Sequence, residues 1–325
     1  MALSKNNLIG FALLVSLALL AVVFANTDLD KVIFAFKSVK LPFLALALAT
    51  LFLELILKSW RLKILVGTHK QSSFWDNFIV TLVGLPFGAV TPVRFGDLAK
   101  VYTLSKKTSL SNAECLAIGV MEKVLDFFSL FILAASGTAA LLVIAGGLAP
   151  VFLYLLVFIA VSGLLVFILL NKNLAGKFLK LVFGKAAPFS HKNLLNNFDD
   201  FYSGLSKIFG KKILLLESLG LAFSLWLNRL LRIFILALAL NIEPNFFYFL
   251  LFIPIVEIVE ILPIAIMGFG TREYAYVLLL SFIGISRESS VALSLLNFSI
   301  VTIPFFVIGY LAVFKEHVLK DLKKS

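Results

Sequence analysis

Cysteine is almost missing from this 325-residue chain, and Cys115 is the single one. That excludes a disulfide framework and any multi-cysteine metal centre. Histidine is nearly as scarce, and His69, His191 and His317 have no ligand spacing among them. No metal or cofactor is expected. Charge is the third shortage: 14% of the residues are charged, against about 25% in soluble domains. Catalytic signatures are lacking as well. No Gly-x-Ser-x-Gly occurs, no Lys-Ser/Thr follows a glycine loop, and Gly268 and Gly270 have no third glycine of a dinucleotide fingerprint.

What fills the chain instead is apolar. Hydrophobic residues make up 61% and the mean hydropathy is +1.05, which predicts an integral membrane protein: all-α, a polytopic bundle of transmembrane helices. Runs of roughly 20 apolar residues suffice for a helical crossing. Such runs predict crossings at 7–25, 41–57, 115–144, 148–170, 213–240 and 290–314. The first has features of a secretory signal, with Val23-Phe24-Ala25 as a cleavage site, but its length favours a retained helix.

The net charge of +11 sits mainly in lysines between apolar runs. That distribution argues for membrane orientation and anionic lipid headgroups at the cytoplasmic surface rather than nucleic acid. Lys58, Arg61, Lys63 and Lys70 read as the loop after the second helix, and Lys100, Lys106 and Lys107 follow residues 74–98. Residues 171–212 read as a basic cytoplasmic loop, in which Leu174, Phe178, Leu181 and Val182 recur at helical spacing. The basic tail puts both termini in the cytoplasm of a plasma-membrane protein, with Asn241 and Ser286 outside.

Two stretches interrupt the apolar pattern in a similar way. Leu85-Pro86 leads to Pro92, Arg94, Gly96 and Asp97, and Leu262-Pro263 leads to Gly268, Gly270, Arg272 and Glu273. Irregular backbone and ionisable side chains persist at membrane depth only where protein or a water-filled cavity covers them. The pattern predicts two re-entrant helical hairpins, 74–98 and 246–283, entering from opposite faces. A single domain, 1–325, would then hold halves of about 1–145 and 213–325 in inverted repeat around a midplane site.

The candidate site residues follow from charge inside apolar runs. Glu122 and Asp126 share a helical face, as do Glu257 and Glu260, and Arg229 sits inside 213–240. A helix beginning at Thr271 would offer its amides to an anion such as phosphate. Arg94 and Arg272 are expected to hold that phosphate. Asp97 and Glu273 are expected to orient the arginines crosswise, Glu273 on Arg94 or Arg229 and Asp97 on Arg272.

At these residues the sequence resembles the membrane half of the lysylphosphatidylglycerol synthases and the stand-alone flippase-like proteins related to it. The likeness runs through Pro92-x-Arg94-x-Gly96-Asp97-x-x-Lys100, Glu122-Lys123-x-x-Asp126, Leu262-Pro263 and Gly268-x-Gly270-x-Arg272-Glu273. Asp97 stands where glutamate is usual, Lys100 and Lys123 where arginine is usual, and Met267 where a glycine often falls. The resemblance implies a lipid translocase that moves a phospholipid or polyprenyl-linked headgroup between leaflets. It implies no enzyme, because the synthase domain of the fused members has no counterpart in these residues. The rival readings are an accessory subunit of a lipid-modifying enzyme and a membrane lipid transferase. A second copy or such an enzyme would be the protein partner.

Overall fold

A backbone in hydrocarbon must satisfy its own N–H and C=O groups, and the helix does so within one segment. In the computed structural model, which describes residues 5–90, 100–144, 171–174, 198–261, 265 and 268–321, every assigned element is a helix. These are α1 (Lys5–Ala25), α2 (Leu29–Lys37), α3 (Leu41–Gly67), α4 (Phe74–Val90), α5 (Lys100–Thr108) and α6 (Asn112–Ile144). The second half holds α7 (Phe198–Gly210), α8 (Lys212–Ala239), α9 (Phe246–Ile261), α10 (Thr271–Ser281) and α11 (Arg287–Asp321). Among the described residues, three helices are long and apolar enough to cross a membrane: α3, α8 and the Arg287–Phe314 part of α11. Residues Leu13–Ala25 and α2, bent by 85°, make a fourth if they count as one span.

Local chemistry sets the helix ends. Ser111 and Glu114 form a reciprocal cap at the start of α6, each side chain accepting the other's backbone N–H at 3.1 Å. Pro42 occupies the first turn of α3, where its missing N–H leaves nothing unsatisfied. Asn241 ends α8 with a φ of 59°, and Gly284 ends α10 with a φ of 78°. In each case a following amide closes back on the helix, Ile242 on Ala237 at 3.0 Å and Ile285 on Leu280 at 3.2 Å.

Packing then draws the two halves together. α3 lies along α8, burying Ala47, Leu51 and Leu55 with Ile233, Leu236 and Ala237 in one apolar core. A second core joins Leu62 and Leu65 of α3 to Cys115, Ile118 and Met121 of α6 and Phe201, Leu205 and Ile208 of α7. Beside it, burial holds the His69 imidazole below its ordinary value, against the opposing pull of Glu114. Outward, Leu41, Phe52, Ile213, Leu216, Ile303 and Phe306 are exposed, as lipid-facing side chains are.

Several expectations need correction. α3 extends ten residues past 57, so Lys58, Arg61 and Lys63 belong to a helix and not to a loop. Arg61 is only 3% exposed. Leu85-Pro86 does not break the chain either, because α4 runs through Pro86 to Val90. The missing Pro86 N–H frees the Leu82 carbonyl without ending the helix. Residues 91–99, 145–170, 175–197, 262–264 and 266–267 lie outside the described residues. With them go Arg94, Gly96 and Asp97, the 148–170 crossing, Leu262-Pro263, and most of the expected amphipathic segment at 174–182. An amphipathic helix does exist nearby, at α7.

The second broken stretch does interrupt the helix. α9 and α10 pack against each other as a helical hairpin, and Gly268 and Gly270 turn the chain between them with φ of 71° and 85°. α1 closes over this turn, so a β-carbon on Gly270 would lie 2.7 Å from the Ser16 carbonyl oxygen and 2.8 Å from Leu19 Cβ. Gly270→Ala should therefore lower stability by about 1–3 kcal/mol through overpacking and a strained φ. Thermal unfolding in detergent checks this, with Gly210→Ala, which meets open space, as control.

Candidate functional site

Acids inside apolar helices hold their charge only beside cations, and the neighbours of Glu54 show how that is met. Glu54, fully buried in the middle of α3, receives Lys58 one turn later at 2.8 Å, Arg232 of α8 at 2.6 Å and Arg229 at 3.7 Å. Arg229 passes the chain on to Glu257 of α9 at 2.9 Å. One turn beyond Lys58, Arg61 grips Asp126 with both terminal nitrogens and stands 3.6 Å from Glu122. Lys100, the first residue of α5, reaches Glu122 at 2.5 Å. Trp226 fixes the geometry between the two groups. Its indole N–H donates to the Asp126 backbone carbonyl at 2.9 Å, and its ring lies 4.5 Å below the Arg229 guanidinium.

These side chains enclose a cavity of about 80 Å³ among α3, α4, α5, α6 and α8. Among the described residues, five cations line it, Lys58, Arg61, Lys100, Lys123 and Arg229, against three carboxylates, Glu54, Glu122 and Asp126. Asp126 keeps 26% of its side chain open and Lys58 23%, so both face the cavity while Glu54 backs them from behind. A compact anion entering here would find more positive than negative partners.

A second buried cluster sits at the start of α10. Arg272 pairs with Glu273, its own neighbour, and its Nε also donates to Ser294 Oγ of α11 at 3.0 Å. The guanidinium lies over the Phe298 ring at 4.5 Å and near Phe269 at 5.5 Å. The other oxygen of Glu273 accepts the Gly270 N–H at 2.7 Å. Of the expected crosswise pairings, that of Glu273 with Arg229 is replaced, since Arg229 pairs with Glu54 and Glu257; those through Arg94 and Asp97 lie outside the described residues. Glu273 is the third helical residue, and in folding back to cap Gly270 it carries its second oxygen to Arg272. The helix N-terminus is also already served by a carboxylate.

Of the expected site residues, Glu122, Asp126 and Arg229 line the cavity, and Glu257 touches it through Arg229. Glu260, one turn after Glu257, packs on the Gly268 turn, its Cγ 2.9 Å from where a β-carbon on that glycine would lie. Gly268 and Gly270 form the turn beside Arg272 and Glu273, and none of these four lines the cavity. Sequence reasoning left out Glu54, Lys58, Arg61, Lys100, Lys123, Trp226 and Arg232 as site members. The signal for Glu54 was present, a lone carboxylate inside an apolar run. Among the described residues no cluster of His, Cys, Asp and Glu suits a metal ion.

Comparison with known proteins agrees with this architecture. Residues 8–309 match the family model described as the lysylphosphatidylglycerol synthase TM region. The chain is also similar to the UPF0104 membrane protein MJ1595 of Methanocaldococcus jannaschii, at 22% identity over 317 residues that cover 92% of each chain.

Proposed function

Because this chain belongs to the lysylphosphatidylglycerol synthase TM region family, we propose that it is a flippase-like lipid translocase. It would pass the headgroup of an anionic phospholipid or polyprenyl-phosphate lipid between leaflets. The observation that carries this reading is the excess of two cations among the described residues that line a cavity inside a largely apolar bundle. A phosphate needs that excess, while its acyl chains need an apolar exterior. Lys58, Arg61, Lys100 and Arg229 are the phosphate ligands in this reading, and Arg61 adds the planar fork suited to two phosphate oxygens. Asp126 and Glu122 hold those cations in place until the headgroup displaces them. The protein performs no bond chemistry in this account. In this reading both termini lie at the cytoplasmic face of the plasma membrane, which the lysines of the 171–212 loop and of the tail support.

Lys58→Ala and Lys100→Ala test the proposal without orphaning an acid, since Glu54 keeps Arg229 and Arg232, and Glu122 keeps Arg61. Charged hydrogen bonds contribute about 1.5–3 kcal/mol, so each variant should slow movement of a labelled anionic lipid in proteoliposomes by roughly tenfold or more. Wild-type rates in both variants would refute the cavity as the path. An inactive wild-type protein that co-purifies with a lipid-modifying enzyme in fixed stoichiometry would favour the accessory-subunit reading.

A further inference from the structure

Where α8 passes to α9 and α10 to α11, two connections of one construction lie side by side. Each leaves its helix through a positive φ, at Asn241 or Gly284, and enters the next through a polar cap. Asn245 accepts the Phe247 N–H at 3.0 Å ahead of α9, and Ser286 accepts the Ser289 N–H at 3.2 Å ahead of α11. Between them opens a cleft of about 950 Å³, within the roughly 300–1,000 Å³ usual for small-molecule sites. It is separate from the charged cavity. Arg229 of that cavity stands ten residues before the end of α8 at Ala239, about 15 Å along the axis, whereas Asn241 lies past that end and lines the cleft.

Among the described residues the two places differ in charge. Five cations line the cavity, but none lines the cleft, where the one charged side chain is Glu243. An anionic headgroup would meet repulsion here. The other polar side chains are neutral: Asn241, Asn245, Tyr248, Ser286 and Ser289. Local bonds hold them in place. The Asn241 amide nitrogen donates to the Ser38 carbonyl at 3.1 Å, which ties the turn to the end of α2, and the Ser286 and Ser289 hydroxyls bond each other at 3.0 Å. These bonds use the Asn241 nitrogen and, at its cap, the Asn245 oxygen, which leaves an acceptor on the first amide and donors on the second.

Aromatic rings complete the cleft. Phe252 is 2% exposed and stacks on Phe282, with ring planes 3° apart and centroids at 6.4 Å, while Phe282 itself is 72% exposed. The apolar surface continues past the rim, since Phe246 and Phe247 at the start of α9 are exposed as well.

Amides and hydroxyls beside a flat ring suit a ligand whose many hydroxyls both donate and accept, and whose C–H face lies against an aromatic. A sugar ring has that chemistry. An amine headgroup fits less well, because a lone exposed carboxylate such as Glu243 contributes little to an ion pair. The exposed phenylalanines at the rim suit the chains of a lipid. We propose that this cleft binds the neutral sugar headgroup of a glycolipid. The site requires no transport and stands independently of the translocase reading.

The test places a single reporter on the apolar wall, Ile283→Cys with Cys115→Ser as background, and follows its labelling by a water-soluble maleimide in phosphatidylcholine nanodiscs. Adding monoglucosyl diacylglycerol should slow labelling by about threefold or more, the protection reached once the lipid stands at twice its Kd. Phosphatidylglycerol and phosphatidylethanolamine should leave the rate unchanged, as should free glucose at the same bulk concentration. Phe282→Ala removes an exposed ring, and Asn241→Gly keeps the positive φ while losing the amide, so each should erase most of the slowing. No slowing by the glycolipid, equal slowing by either other lipid, or slowing that survives both substitutions would overturn the site. Slowing by phosphatidylethanolamine alone would overturn the sugar and assign the cleft to an amine on Glu243. Free glucose acting as strongly as the glycolipid would overturn the lipid origin. If either variant fails to fold, the comparison among lipids on the reporter protein decides.

Discussion

Glu54→Ala should largely abolish recovery of folded protein from membranes. The side chain is fully buried and receives Lys58, Arg229 and Arg232. Removing it leaves three cations facing one another, with Glu257 still beside Arg229. Breaking a buried pair by deleting one partner destabilises by about 3–5 kcal/mol, and here one deletion strips several partners at once. Monodispersity in mild detergent and thermal unfolding measure the effect. Glu54→Gln should fall between the two, since its oxygen still accepts a hydrogen bond while the charge is lost. Combining Glu54→Gln with Arg232→Met should regain stability over Glu54→Gln alone, because Arg232 is the partner with no opening to the cavity. A folded, stable Glu54→Ala protein would show that the cations find other partners or water, and that the α3–α8 seam does not depend on this acid.

The second large effect is at Glu273, which performs two tasks with its two oxygens. One caps the Gly270 amide and the other holds Arg272 together with Ser294. Glu273→Ala should thus uncap α10 and orphan a guanidinium that is 1% exposed, a loss of roughly 4–6 kcal/mol from the pair and the cap together. Arg272→Met alone should be milder, since it removes the cation and leaves the cap. The double variant Arg272→Met with Glu273→Gln should unfold at a higher temperature than Glu273→Ala, because the glutamine can still cap and no charge is left alone. Additive losses in the double variant would mean that the two residues do not act as a pair.

The helical class was legible because hydropathy and length decide it, and so was the start of α10 at Thr271, where two glycines end one segment and open the next. Charges inside apolar runs pointed to Glu122, Asp126 and Arg229, which line the cavity. The reading failed where hydropathy has two meanings. Lys58 and Arg61 follow an apolar run whether they mark a loop or a polar cavity wall, and only their partners on α6 and α8 decide between them. Proline carries a similar ambiguity, since Pro86 sits inside a continuous helix that rests on Gly309. The pairing of Glu273 with the adjacent Arg272 was missed because a surface-face argument ignores the first turn, where side chains fold back toward free amides. α7 could have been found, since Phe201, Leu205 and Ile208 fall at helical spacing within the basic loop.

The seat of α1 over Gly270 bears on how the chain is assembled. Synthesis delivers Ser16 to the bilayer near the beginning and Gly270 near the end, yet the two backbones finish in contact with no room for a methyl group between them. The fit of α1 over this turn can therefore be completed only after the last hairpin is inserted. Contacts so distant in sequence form late and slowly. A chain released before residue 270 would keep Val23 and Phe24 against the main core but leave the middle of α1, around Ser16 and Leu19, without the turn it closes over.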